Sequence, residues 1–93
     1  MGQEAKIEKA VCDYAKKRGC YVRKFKSTSQ RGVPDRLFIS PSGHVLFVEF
    51  KAPGNKPTAL QEREMNEINK RGGRAAWADS IEQGKRIVDL YLK

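Results

Sequence analysis

The chain has one histidine, His44, and two cysteines, Cys12 and Cys20, among 93 residues. Two cysteines are too few for a disulfide scaffold and lack the paired spacing of a zinc site, so both are expected as reduced, largely buried thiols. His44 has no partner for a zinc site or a catalytic triad and falls in a turn, where it is expected at the surface. No stretch approaches the ~18 apolar residues of a membrane span, and the N-terminus lacks the apolar core of a signal peptide. A soluble intracellular protein without a membrane partner is expected. Repeats, linkers and low-complexity tracts are absent too, which leaves a single domain over residues 1–93. A chain this short buries a modest core, so association between copies would add useful apolar burial.

Acidic residues are also scarce. Eleven Asp and Glu face nineteen Lys and Arg, giving a net charge of +8 and a pI near 9.8. A field of that sign attracts polyanions, of which nucleic acid is the commonest. A merely soluble basic surface is the alternative, because net charge speaks to association and not to fold. Particular residues have to decide.

From Glu4 to Arg18, Ile7, Ala10, Val11, Tyr14 and Ala15 recur at steps of three and four, which predicts a helix ended by Gly19. Cys20 to Lys26 alternates Tyr21, Arg23 and Phe25 around Val22, a short strand with cations on one face. Val33 to Ile39 reads as a second strand entered through Pro34, and Val45 to Lys51 as a central one. Pro41-Ser42-Gly43 between them has turn chemistry, so the two form a hairpin. Thr58 is a plausible N-cap for an amphipathic helix with Leu60, Met65 and Ile68, ending at Gly72-Gly73. A strand from Arg74 to Ala78 follows, then a helix capped by Asp79 or Ser80, with Ile81, Ile87, Val88, Leu90 and Tyr91 as its apolar positions. The fold class is α/β, a small mixed sheet flanked by helices in the order α-β-β-β-α-β-α. Tyr14 and Trp77 could stack a base, but core packing is the simpler expectation for both.

Glu49-Phe50-Lys51 puts two charges at the end of a run otherwise fit for the middle of a sheet. Side chains alternate along a strand, so Glu49 and Lys51 point to one side about 6 to 7 Å apart. The hairpin could bring the Asp35 carboxylate beside Glu49, where two like charges repel unless a cation lies between them. Mg²⁺ answers that need, since it binds one or two carboxylates and keeps waters and substrate phosphate oxygens. Lys51 would orient or deprotonate the attacking water and counter charge on the scissile phosphate. The alternative is an edge-strand ion pair with Asp35 capping a turn, which fits each residue singly but not the combination.

Val33-Pro34-Asp35 followed by Val48-Glu49-Phe50-Lys51 resembles the PD-(D/E)XK nuclease signature. Together with Gly32, Ala52-Pro53-Gly54, Lys56, Thr58, Leu60-Gln61 and Arg71-Gly72-Gly73, nearly the whole chain resembles a virus-type replication-repair nuclease (VRR-NUC) domain in a stand-alone, phage-like form. The resemblance implies a PD-(D/E)XK restriction-endonuclease-like fold, related to Holliday-junction resolvases. It implies cleavage of DNA phosphodiesters with Mg²⁺, for which Mn²⁺ can substitute. Asp35 and Glu49 would bind the metal together with the Phe50 carbonyl, and Lys51 would assist hydrolysis. If phage-encoded, the protein would act in the cytoplasm of a host bacterium.

The family also places a glutamate on the first helix, and Glu4 and Glu8 both qualify. At ~100° per residue Glu4 projects near the apolar stripe and Glu8 at its border. The resolvase-like spacing back from Gly19 favours Glu8, and a glutamate opening the helix in related domains favours Glu4; Glu8 is assigned to the catalytic and metal-binding set. Gln61 matches a family glutamine expected to contact substrate or a metal-bound water, although an ordinary helical glutamine looks the same. Lys56 and Thr58 on one side, and Arg23, Lys24, Lys26 and Arg31 on the other, are candidates for DNA phosphate contacts or simple solvated positions.

Three functions follow as expectations. The first is a homodimeric endonuclease resolving four-way DNA junctions, because two opposed cuts need two sites and one chain supplies one. Shape and phosphate contacts would dominate recognition, since no separate sequence-reading module is visible. The second is a nuclease of the same chemistry acting on flaps, nicks or unbranched duplex. The third is a DNA-binding module that does not cut.

Overall fold

The computed structural model describes residues 2–93. Helix α1 (Gln3–Lys17) buries Ile7, Val11, Cys12 and Ala15, the stripe its spacing predicts. Gly19 ends it with φ +84°, its N–H reaching Lys16 O at 2.9 Å while the Cys20 N–H reaches Ala15 O at 3.1 Å. Glycine adopts that left-handed conformation without a Cβ clash.

Strands β1 (Tyr21–Lys24), β2 (Arg36–Ile39), β3 (Val45–Phe50) and β4 (Ala75–Ala78) form one sheet in the order β1-β2-β3-β4. Helix α2 (Ala59–Asn69) crosses from β3 to β4, and α3 (Ile81–Tyr91) closes the chain. The first two pairings are antiparallel and β3–β4 is parallel, as a helical crossover requires. This is the α-β-β-β-α-β-α mixed sheet that the sequence predicts.

Both outer segments of the first hairpin are shorter than their sequence patterns. β1 stops at Lys24 and β2 begins at Arg36, because Pro34 has no N–H to give to a ladder. Pairing continues one step further through the Phe25 N–H and Asp35 O at 2.9 Å. Asp35 therefore stands at the mouth of β2.

The two faces of the sheet are unequal. Val22, Phe38, Leu46, Val48, Phe50 and Ala78 are buried on one face under α1 and α3. By alternation the opposite face carries Leu37, Phe47, Glu49 and Trp77. Only α2 covers that face among the helices, packing on β4 with Met65 buried.

The Ser80 hydroxyl caps α3 by accepting from the Gln83 N–H at 3.1 Å, while Asp79 accepts from the Gly54 N–H at 3.1 Å. Ile87 and Val88 are buried in α3, whereas Ile81 and Leu90 are 38% and 58% exposed. Tyr14 packs at the core rim with its hydroxyl donating to Asp89 at 2.8 Å, and Trp77 is half-buried, so neither is full core. Both cysteines are free and buried, and His44 is exposed. Among the described residues no helix is long and apolar enough to cross a membrane.

Helices α1 and α3 approach most closely at Gly84, where an added Cβ would lie 2.3 Å from Val11 Cγ2. Alanine ordinarily improves an exposed helix position by ~1 kcal/mol. Here Gly84→Ala is expected to destabilise by about 1–3 kcal/mol through overpacking. Its cost should shrink in a Val11→Ala background when measured by urea denaturation. An equal cost in both backgrounds would contradict this packing.

Candidate active site

Arg36 pairs with Val48, so one step back along the antiparallel register brings Asp35 opposite Glu49. The Phe50 N–H donates to Asp35 Oδ2 at 2.9 Å, which fixes this carboxylate at the end of the sheet. Lys51 follows β3 on the same side as Glu49, with Nζ 3.7 Å from Glu49 Oε2. The structure thus brings Asp35, Glu49 and Lys51 together, with Phe50 between the last two and its side chain in the core.

Glu49 is only 3% exposed. Its Oε2 accepts from Gln61 Nε2 at 3.1 Å, but among the described residues the buried Oε1 has no hydrogen-bond partner. Burial first, and the Asp35 charge second, push its pKa up to about 7; Lys51 opposes the rise and Glu4 adds to it. An unpartnered buried carboxylate oxygen beside a second carboxylate is a costly arrangement that a cation relieves. Among the described residues no three His, Cys, Asp or Glu converge into a complete metal cluster. Two adjacent carboxylates, one with an unpartnered oxygen, are a donor set that Mg²⁺ or Mn²⁺ accepts, the remaining positions going to water and phosphate oxygens. The residues present therefore fit such an ion.

Gln61 joins α2 to Glu49. It is the third residue of α2, and the Thr58 hydroxyl accepts from its N–H at 3.2 Å while the Thr58 N–H donates to its Oε1 at 2.9 Å. This capping box leaves Nε2 of the same amide aimed at Glu49. A glutamate here would keep the box and set a carboxylate against Glu49.

Glu8 does not join the group. Its Oε2 is 2.6 Å from Arg36 Nε, and Arg36 follows Asp35 on the strand and so faces the other way. The Glu8 carboxylate is engaged with Arg36 and not with Asp35 or Glu49. Glu4, one turn earlier, is the helix carboxylate whose charge acts on Glu49. Sequence reasoning misses Arg36 as the determinant, although a cation two residues before Phe38 on the core face already demands a partner. Lys26, Arg31 and Lys56 are exposed in the loops and form no ion pair among the described residues, and Thr58 uses its hydroxyl in the cap.

A carboxyl raised in the folded state binds more protons folded than unfolded between its two pKa values. In metal-free protein, the Glu49 contribution to stability should therefore fall as pH rises from 4.5 to about 7, then level off. The difference in Tm between wild type and Glu49→Gln, followed with pH in EDTA, checks this; a difference constant across that window would contradict it. Gln61→Glu should destabilise more at pH 8 than at pH 5, where Glu49 holds its proton. Equal destabilisation at both would count against the Gln61–Glu49 contact.

No family model matches the chain. A protein of Acyrthosiphon pisum secondary endosymbiont phage 1 named "Putative nuclease p44" is 50% identical over 62 residues, 67% of this chain and 67% of that protein. A solved structure described as "VRR_NUC domain" superposes with a TM-score of 0.90 at 30% identity, covering 98% of this chain and 99% of its own. Another, a "VRR_NUC domain protein", shares the fold with a TM-score of 0.79 at 20% identity over 96% and 87% of the two chains. Identity on this scale, joined to the same sheet and helix order over the full length, means that the chain belongs to the VRR-NUC family.

Proposed function

We propose that this chain is a divalent-metal-dependent DNA endonuclease that acts on branched DNA, four-way junctions above all, as a homodimer. The observation that carries the reading is the buried Glu49 carboxylate, held opposite Asp35 with one oxygen unpartnered and Lys51 Nζ 3.7 Å from the other. The nuclease name of the phage relative and the family membership support it.

Asp35, Glu49 and the Phe50 carbonyl would hold Mg²⁺ or Mn²⁺. When bound, such an ion polarises a phosphoryl oxygen and lowers the pKa of water. Asp35 presents a carboxylate already oriented by the Phe50 N–H, so little reorganisation remains on substrate binding. Gln61 holds Glu49 Oε2 from the start of α2. Lys51 directs its ammonium at the edge of the carboxylate pair, where it can orient the attacking water and offset charge developing on the scissile phosphate. Lys26, Arg31 and Lys56 would steer and hold backbone phosphates around that centre.

Two opposed cuts at a junction need two such sites, which a two-fold dimer supplies. Exposed Leu90 beside Trp77, Ile87 and Tyr91, around a groove of about 270 Å³, offers apolar surface to a second copy. The phage relative supports action in the cytoplasm of a bacterial host.

Cleavage of a fixed four-way junction, a flap and a linear duplex, with oligomeric state measured in parallel, tests the proposal. Wild type with Mg²⁺ should make paired cuts in the junction as a dimer. Asp35→Ala, by loss of a group that would hold the metal, and Lys51→Ala, by loss of the group acting on the attacking water, should each cut at least about 10²-fold more slowly. Intact DNA with wild type under both Mg²⁺ and Mn²⁺ would contradict the nuclease reading. A monomer that trims only flaps would contradict the junction reading.

A further inference from the structure

The Glu8–Arg36 pair occupies a place where chemistry was expected and is not found. Its atoms are 2.6 Å apart with side chains only 23% and 20% exposed, a short charge-assisted contact at the edge of the core. Half-buried ion pairs contribute little to net stability, and apolar replacements are often as stable or more so. Such a pair does supply direction and register, which apolar packing supplies poorly.

Both ends are tied to the site. Arg36 is covalently next to Asp35, whose carboxylate the Phe50 N–H fixes. Glu8 lies one helical turn from Glu4, where side chains four apart are neighbours about 5–6 Å apart at Cβ. Among the described residues the start of α1 has no other polar clamp of this kind: its N-cap is Gly2, with no side-chain hydrogen bond. Ile7 anchors the turn by burial, which resists lifting but not sliding. A groove of about 370 Å³ lies beside the pair, lined by Cys12, Lys9 and Lys24 among others.

We propose that the Glu8–Arg36 ion pair is a positioning strut that locks the first turns of α1 onto the start of β2 and thereby holds Asp35, the residue next to Arg36, in register opposite Glu49. The inference rests on the metal-site reading above, in which Asp35, Glu49 and the Phe50 carbonyl would hold the ion. Neither Glu8 nor Arg36 touches the reacting atoms.

Mn²⁺ binding by titration calorimetry, with thermal melting of each variant, tests the strut. Glu8→Gln and Arg36→Gln should each weaken Mn²⁺ binding by about 10-fold, the lower range for groups that orient metal ligands indirectly. The charge exchange Glu8→Arg with Arg36→Glu should restore most of that loss. The apolar double variant Glu8→Leu with Arg36→Met should melt at or above the wild-type temperature and still bind about 10-fold more weakly, separating positioning from stability. Wild-type affinity in that folded apolar variant would overturn the strut. So would a loss confined to Glu8→Gln with Arg36→Gln silent, which would make Glu8 itself a ligand. If the single variants fail to fold, the charge exchange decides by whether affinity returns. Asp35→Ala serves as the separate control: undiminished Mn²⁺ binding there would sink the metal-site reading itself.

Discussion

A glutamate carboxylate that is 3% exposed, with one oxygen unpartnered and an aspartate opposite, is an arrangement that folding alone disfavours. Burying an ion costs several kcal/mol, and a like charge alongside adds to it. Lys51 and Gln61 offset part of that cost, and Asp35 is fixed in place. Lys51 lies 3.7 Å from one oxygen, Gln61 donates to the same atom at 3.1 Å, and Asp35 is occupied by a backbone N–H rather than left to swing away. What remains uncompensated is the space at Oε1. A hard cation is the ligand that such a site favours most.

The unequal sheet makes this arrangement tolerable. One face, under α1 and α3, holds the apolar core and sustains close packing down to Gly84 against Val11. The opposite face has only α2 above it, so Glu49 can be buried by a short cap structure rather than by the main core. Alternation along β3 sends Val48 and Phe50 to the first face and Glu49 to the second. Stability and chemistry thus come from one six-residue strand without competing for the same side. The same alternation sends Arg36 away from Asp35, and that is why a charge on the core face needs Glu8.

Much of the site is legible in the amino-acid sequence. Glu49, Phe50 and Lys51 declare themselves by interrupting an apolar strand with period-two charges, and Asp35 by its place at the head of the partner strand. Thr58 and Gln61 stand at capping-box spacing, so the start of α2 can be read directly. The helix carboxylate is less accessible. On an isolated wheel Glu4 and Glu8 both lie near the apolar stripe, and what distinguishes them in the structure is Arg36, 28 residues beyond Glu8, which engages Glu8. Strand ends are blurred for a similar reason: Val33 suits a strand, but Pro34 removes the donor that would keep the ladder. In α3, periodicity identifies Ile81 and Leu90 as apolar without showing how far the covered face extends.

Where a divalent ion binds is the deciding question. Anomalous diffraction from crystals grown with Mn²⁺ locates it without reliance on activity. A single strong peak, or a close pair, in contact with both Asp35 and Glu49, with Glu8 still on Arg36, is the expected result. Saturating Mn²⁺ with no peak between Asp35 and Glu49 would contradict a metal centre at that carboxylate pair, and a peak coordinated by Glu8 would contradict its place on Arg36.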